Sequence, residues 1–261
     1  MQTIKTLQKQ KRSGEKISAL TAYDATFAAL LSDVGIDVLL VGDSLGMVLQ
    51  GHDSTVPVTI EHILYHLESV KRSSPNCLIM ADMPFLSYGT PEQALENAAR
   101  LMRAGAQMVK LEGGAWLAET VQILEERGIP VCAHLGLTPQ FIHQFGGFRI
   151  QGKNQKQADK LINDAKVLAD AGASALLLEC IPSAVGRTIS QSVDQPVIGI
   201  GAGPDTDGQV LVLQDILGLT RGVSPRFAKN FLTDKGIAAA ISDFHQAVKS
   251  RQYPAPEHCF E

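Results

Sequence analysis

Long hydrophobic runs are absent. No stretch approaches the roughly 18 uncharged apolar residues that a membrane helix needs, and the polar, lysine-rich start over 1–16 leads into no hydrophobic segment of the signal-peptide kind. The expectation is a cytoplasmic protein with no membrane partner. Basic blocks are absent too: 23 Lys and Arg against 27 Asp and Glu give a net charge of −4, which argues against a nucleic-acid partner. Cysteine is sparse, and Cys77, Cys132, Cys180 and Cys259 lie far apart with no CxxC pair. They read as reduced thiols rather than as a redox or metal centre, because such ligands come clustered. Low-complexity segments and linkers are also missing. What is present, 45% hydrophobic and 19% charged residues over 261 positions, suffices for a full core. The length suits an α/β barrel, which commonly uses about 250 residues in one piece.

The dominant regularity is a short aliphatic or β-branched run followed by helical spacing. It recurs at 17–23, 38–44, 78–85, 108–112, 131–137, 175–181 and 197–201, with a weaker eighth run at 216–219. Helical stretches such as 91–104, 116–127 and 155–171 lie between, so consecutive strands are expected to be parallel and joined by crossover helices. The expected fold is a (β/α)8 TIM barrel, one domain over 1–261 with a short N-terminal helical extension; an open, doubly wound sheet is the alternative that periodicity leaves standing. Thr90-Pro91-Glu92-Gln93 carries an N-cap threonine, a first-turn proline and a capping-box glutamine, and Thr138-Pro139 repeats the cap and proline. Gly105, Gly128 and Gly172 end helices just before strands. Two connections are long, 45–59 and 141–153, and both follow strand C-terminal ends, where barrel enzymes build lids and substrate walls.

Barrel chemistry sits at those ends. Asp43-Ser44 closes the second strand, Asp82 the third, Lys110-Leu111-Glu112 the fourth and Glu179 the sixth. Side chains alternate along a strand, so Lys110 and Glu112 share the inward face. A lone strand-end Asp is more often a helix N-cap than a ligand. Three acids at equivalent ends of adjacent strands beside an inward lysine outweigh that reading, because isolated charges are disfavoured in a core. If their oxygens converge, Asp43, Asp82 and Glu112 favour a hard cation, Mg²⁺ or Mn²⁺. Lys110 can neutralise the acids, bind a substrate carboxylate or form a Schiff base; flanking carboxylates keep it protonated, which favours carboxylate binding. Glu179 suits a general base, against the plainer reading of a strand-end acid or an arginine's partner. His134 is either a hydrogen-bonded core residue or a group lining the mouth. Gly199-Ile200-Gly201-Ala202-Gly203 is either a phosphate cradle or a close-packed turn.

These residues resemble the ketopantoate hydroxymethyltransferase family nearly end to end. The likeness rests on Thr21-Ala22-Tyr23-Asp24, Val41-Gly42-Asp43-Ser44-Leu45-Gly46-Met47, Gln50-Gly51-His52-Asp53-Ser54-Thr55, Ala81-Asp82-Met83-Pro84-Phe85, Val109-Lys110-Leu111-Glu112-Gly113-Gly114, His134-Leu135-Gly136-Leu137-Thr138-Pro139-Gln140 and the glycine run at 199–203. The resemblance implies a barrel of the phosphoenolpyruvate/isocitrate-lyase type. It implies transfer of a hydroxymethyl group from 5,10-methylenetetrahydrofolate to 3-methyl-2-oxobutanoate, giving 2-dehydropantoate on the way to pantothenate through a Mg-bound enolate. By position it assigns Asp43, Asp82 and Glu112 to the magnesium site, Asp43, Ser44, Asp82 and Lys110 to the 2-oxo acid, and Glu179 to proton removal; help from His134 or a water in that step is a mechanistic reading beside the resemblance. A cytoplasmic homodecamer, a pentamer of dimers, is also implied. Departures fall at 204–206, 221–225 and 153–160 and touch only peripheral details of the resemblance. The rivals are a Mg²⁺-dependent lyase or mutase on the same barrel, separated by folate dependence, and a silent metabolite-binding barrel, separated by metal titration.

Overall fold

The computed structural model describes residues 1–73, 76–220 and 222–261. Eight parallel strands close into a barrel in chain order: β1 (Ile17–Thr21), β2 (Val38–Val41), β3 (Leu78–Asp82), β4 (Met108–Glu112), β5 (Val131–Gly136), β6 (Ala175–Glu179), β7 (Val197–Ile200) and β8 (Gly208–Leu211), with β8 paired back onto β1. Closure rules out the open doubly wound sheet. Nearly every strand residue is buried, as expected of parallel strands covered by helices outside and by packed side chains within.

Helix α1 (Ile4–Ser13) precedes the barrel. Around it follow α2 (Ala25–Val34), α3 (Leu45–Val48), α4 (Ile60–Lys71), α5 (Pro91–Ala104), α6 (Ala118–Glu126), α7 (Ile142–Phe145), α8 (Gln155–Asp170), α9 (Ser183–Ser192), α10 (Leu213–Ile216) and α11 (Ile237–Lys249). Thr90 caps α5 as expected, accepting from the Gln93 N–H, but the Gln93 side chain accepts from Gly89 N–H at 2.9 Å rather than from the cap residue. Thr138 makes no side-chain cap; Pro139 opens a 3-10 turn instead. The stretch read as one helix over 116–127 begins as a 3-10 turn, Ala115–Leu117, before α6. Gly105, Gly128 and Gly172 all take positive φ, as helix-ending glycines do.

The eighth strand lies earlier than the sequence pattern places it. Residues 216–219 contain the end of α10 and a turn, whereas β8 is the short run beginning at Gly208. Leu213, Ile216 and Leu217 are buried at i, i+3 and i+4, which is helical spacing. Gly208 weakens the strand signal, yet it is what lets β1 approach: a Cβ there would stand 2.5 Å from the Ile17 carbonyl oxygen.

On the N-terminal face, Asp37 ties the termini to the barrel floor by accepting from Gln10 Nε2 at 3.0 Å, from Ser18 N–H at 2.9 Å and from Lys249 Nζ at 2.8 Å. The opposite face carries the strand ends and the loops. There Gly136, at φ +96°, brings β5 against β6, and a Cβ on it would lie 2.2 Å from the Glu179 carbonyl oxygen. Gly136→Ala is therefore expected to destabilise the fold by about 2 kcal/mol or more through backbone strain and steric overlap, and to lower activity because Glu179 moves. A thermal melt and a kcat indistinguishable from those of the parent would contradict this.

Candidate active site

The strand register assembles the polar cluster. Asp82 on β3 lies opposite Lys110 on β4, and Glu112 on β4 lies opposite His134 on β5. Alternation turns Lys110 and Glu112 to the barrel interior as read from the sequence. Lys110 Nζ stands 3.0 Å from Asp82 Oδ1, 3.3 Å from Glu112 Oε1 and 3.2 Å from His134 Nδ1. His134 Nε2 stands 3.3 Å from Glu179 Oε2, off the alignment of a hydrogen bond. His134 Nδ1 also lies 3.3 Å from Glu112 Oε1; burial and Lys110 would lower the imidazole, but Glu112 and Glu179 together hold it above its ordinary value. The first four side chains are almost fully buried, while 14% of the Glu179 side chain is exposed.

Asp43 joins through its backbone, whose N–H donates to Asp82 Oδ2 at 2.9 Å. Beside it, Ser44 Oγ lies 2.8 Å from the Tyr23 hydroxyl. Gln140, just past β5, bridges two of the acids: its side-chain amide donates to Asp43 Oδ2 at 2.9 Å and its backbone N–H to Glu112 Oε2 at 3.0 Å. Tyr88 in turn donates to Gln140 Oε1 at 2.6 Å. Neither Gln140 nor Tyr88 was assigned a role from sequence, since both lie on irregular segments where no period marks the inward face. The usable signal was position, a polar residue two places after the Thr138 that follows a strand.

The three carboxylates come to one end of the barrel, but not as a ready-made cage. Among the described residues, no three His, Cys, Asp or Glu side chains are set to hold a metal ion. Lys110 and Gln140 link the acids instead of their oxygens converging on one point. The charge balance still fits a hard divalent cation. Three buried carboxylates face Lys110 and His134, so the acids outnumber the basic groups set against them. Burial pushes the Asp43 carboxyl well above the usual range, reinforced by Asp82 and Glu112; burial likewise raises Asp82 despite Lys110. Burial alone would lower Lys110, but Asp82, Glu112 and Asp43 together hold it well above its ordinary value, so it is a cation and not a free amine. Asp82 Oδ1 is buried and makes no hydrogen bond, only the ion pair. An all-oxygen donor set with an orphaned carboxylate oxygen suits Mg²⁺.

The cluster forms one wall of a cavity of about 630 Å³ at the C-terminal end of the barrel. Both long connections reach it, the first through Met47 and Thr55, the second through Phe148 and Ile150. Val223, Ser224 and Pro225 also line it, so one departure from the family pattern falls on the cavity wall and is more than a detail; Arg221 lies outside the described residues. The glycine run at 199–203 serves close packing. A Cβ on Gly199 would meet Thr206 Oγ1 at 2.7 Å, and one on Gly203 would meet Ser183 at 2.7 Å. All four cysteines are free; burial pushes Cys132, beside Lys110 and Asp82, up to about 12, an inert thiol.

The family model for ketopantoate hydroxymethyltransferase matches residues 1–256. The chain belongs to the ketopantoate hydroxymethyltransferase family. The chain is 59% identical over 260 residues to the 3-methyl-2-oxobutanoate hydroxymethyltransferase of Marinobacter nauticus, covering 99% of this chain and 98% of that protein. Among solved structures it resembles 2,3-dimethylmalate lyase, a member of the PEP mutase/isocitrate lyase superfamily, with a TM-score of 0.57, 17% identity and 81% of each chain covered. It also resembles a phosphonopyruvate hydrolase complexed with oxalate and Mg²⁺, with a TM-score of 0.61, 14% identity and 81% of each chain covered. At such identities these two likenesses show the barrel alone, and they agree with the closed eight-stranded architecture expected of the ketopantoate hydroxymethyltransferase family.

Proposed function

We propose that this chain transfers a hydroxymethyl group from 5,10-methylenetetrahydrofolate to 3-methyl-2-oxobutanoate, giving 2-dehydropantoate for pantothenate synthesis. The observation that carries the reading is the buried chain of contacts Asp82–Lys110–His134–Glu179 at the cavity wall, in a member of this family. Asp43, Asp82 and Glu112 would hold Mg²⁺. When bound, the ion supplies a Lewis acid that draws electrons from the 2-oxo group and makes the C3 hydrogen acidic. Lys110 offers its charge to the substrate carboxylate, and Ser44, restrained by Tyr23, offers a hydroxyl beside it. Glu179 Oε2 takes the C3 proton, with His134 Nε2 3.3 Å away. C3 then bonds to the one-carbon unit, one water is consumed as the hydroxymethyl group is completed, and tetrahydrofolate leaves. A cytoplasmic homodecamer belongs to the same reading; among the described residues no helix is long and apolar enough to cross a membrane.

Proton NMR of 3-methyl-2-oxobutanoate with the protein and Mg²⁺ in D₂O tests the proposal. The expected result is metal-dependent loss of the C3 proton signal, then 2-dehydropantoate on addition of methylenetetrahydrofolate. Intact, metal-loaded protein giving neither exchange nor product overturns it, and cleavage of a 2-oxo acid without folate would point to a lyase.

A further inference from the structure

The cavity is too large for the oxo acid alone. About 630 Å³ lies in the range that encloses drug-sized ligands, whereas 3-methyl-2-oxobutanoate is a five-carbon acid. Its polar wall, from Asp43 to Glu179, is used by the proposed chemistry. Across the barrel, beyond the end of β8, the same cavity is lined by Asp215 of α10, a carboxylate that no step above employs. Asp215 is 8% exposed, and among the described residues no basic group pairs with it. The Thr220 hydroxyl donates to its Oδ1. Each carboxylate oxygen can accept two hydrogen bonds, so most of its accepting capacity remains. Burial pushes this carboxyl up against the opposing effect of Thr220, the mark of an acid lacking donors. Val212, Phe227 and Phe260 line the same cavity, and Arg149 and Arg226 are exposed lining residues. The Arg226 guanidinium lies 5.6 Å from the centre of the Phe260 ring.

An apolar chamber holding one buried carboxylate and bordered by exposed arginines fits a flat, donor-edged ring with an anionic tail. We propose that Asp215 anchors the one-carbon carrier by its 2-amino-4-oxopyrimidine edge, whose amino group and neighbouring ring N–H donate side by side to the carboxylate. Paired donors of this kind match two carboxylate oxygens as a guanidinium fork does. Phe227 and Phe260 supply apolar surface for the ring, and Arg149 and Arg226 supply charge for the glutamate carboxylates. The proposal rests on the reading that a tetrahydrofolate is the donor.

Asp215→Asn is the first variant, because it keeps an oxygen for Thr220 while presenting an amide N–H₂ in place of an acceptor. Its KM for methylenetetrahydrofolate should rise about 10- to 100-fold, the effect of losing hydrogen bonds to a charged group. Its KM for the oxo acid and its folate-independent, Mg²⁺-dependent C3 exchange should stay within about twofold, which also reports an intact fold. Calorimetry with tetrahydrofolate and its 2-desamino analogue gives a second readout. The parent should discriminate between them about tenfold or more, and Asp215→Ala should bind the two alike. An unchanged donor KM in Asp215→Asn, or equal discrimination in Asp215→Ala, overturns the assignment. The reaction can fail separately: if the parent binds tetrahydrofolate and loses it on Asp215→Asn yet forms no product, the subsite stands and the proposed transfer falls. If the parent binds no tetrahydrofolate, both fall.

Discussion

Glu179→Gln is expected to lower kcat by about 10²- to 10⁴-fold, the usual contribution of a positioned general base, while leaving the KM for 3-methyl-2-oxobutanoate within about threefold. The expectation follows from how β6 ends. Glu179 is its last residue, and Cys180 immediately turns the chain with a φ of 48°. The turn is held on both sides: the Glu179 carbonyl accepts from Leu137 N–H at 2.8 Å, and Cys180 N–H donates to the Ile200 carbonyl at 2.9 Å. A left-handed, non-glycine residue persists only where its surroundings fix it, so the side chain before it has a fixed origin. Glutamine has the same shape and keeps the neighbourhood of His134, but its amide cannot take a proton. Binding should therefore survive and proton removal should not. The decisive readout is the metal-dependent exchange of the C3 proton in D₂O without folate, which isolates that single step. Exchange at the parent's rate in Glu179→Gln would falsify the assignment and move the base elsewhere in the cluster.

The sequence alone carried most of the barrel and part of the site, and the division has physical causes. Strands β1 to β7 are runs of aliphatic residues buried on both faces, and such runs announce themselves. Strand β8 does not, because Gly208 and Gln209 fill half of its four positions, while the apolar residues after it follow helical spacing. The inward placement of Lys110 and Glu112 followed from alternation. Alternation says nothing about what lies between two inward side chains, so Lys110 seated between Asp82 and Glu112 could only come from the coordinates. Gln140 and Tyr88 reach the acids from loop and 3-10 segments, where no period exists to be read. Asp215 is an acid in the first turn of a short helix, where an acid needs no special reason. The metal role of Asp43 was legible from three acids at neighbouring strand ends, whereas the substrate contacts proposed for Asp43 and Ser44 came from the ordered motifs of the family.

Lys110→Met is expected to cost stability as well as function. Methionine matches the length of the lysine stem and removes the ammonium, with its charge and its N–H donors. Lys110, Asp82 and Glu112 are each no more than 4% exposed, and the ammonium lies 3.0 and 3.3 Å from the two acids. Deleting one partner of a buried ion pair leaves an uncompensated charge and typically costs about 3–5 kcal/mol. For a protein of this size that corresponds to a fall in Tm of roughly 10 °C. Asp43, already pushed up by burial and by its two acidic neighbours, then faces the same repulsion without the lysine that opposes it. Two further consequences distinguish this from ordinary core damage. First, the substrate carboxylate loses its cation, so the KM for the oxo acid should rise about tenfold or more, as for other hydrogen bonds to charged groups. Second, a divalent ion bound among the three carboxylates replaces the missing charge, so saturating Mg²⁺ should raise the Tm of Lys110→Met by more than it raises that of the parent, since binding to the folded state alone stabilises it. Equal Mg²⁺ shifts in the two proteins would mean that the acids are not the ion's ligands. A variant melting with the parent in the absence of Mg²⁺ would mean that Lys110 is not what compensates them.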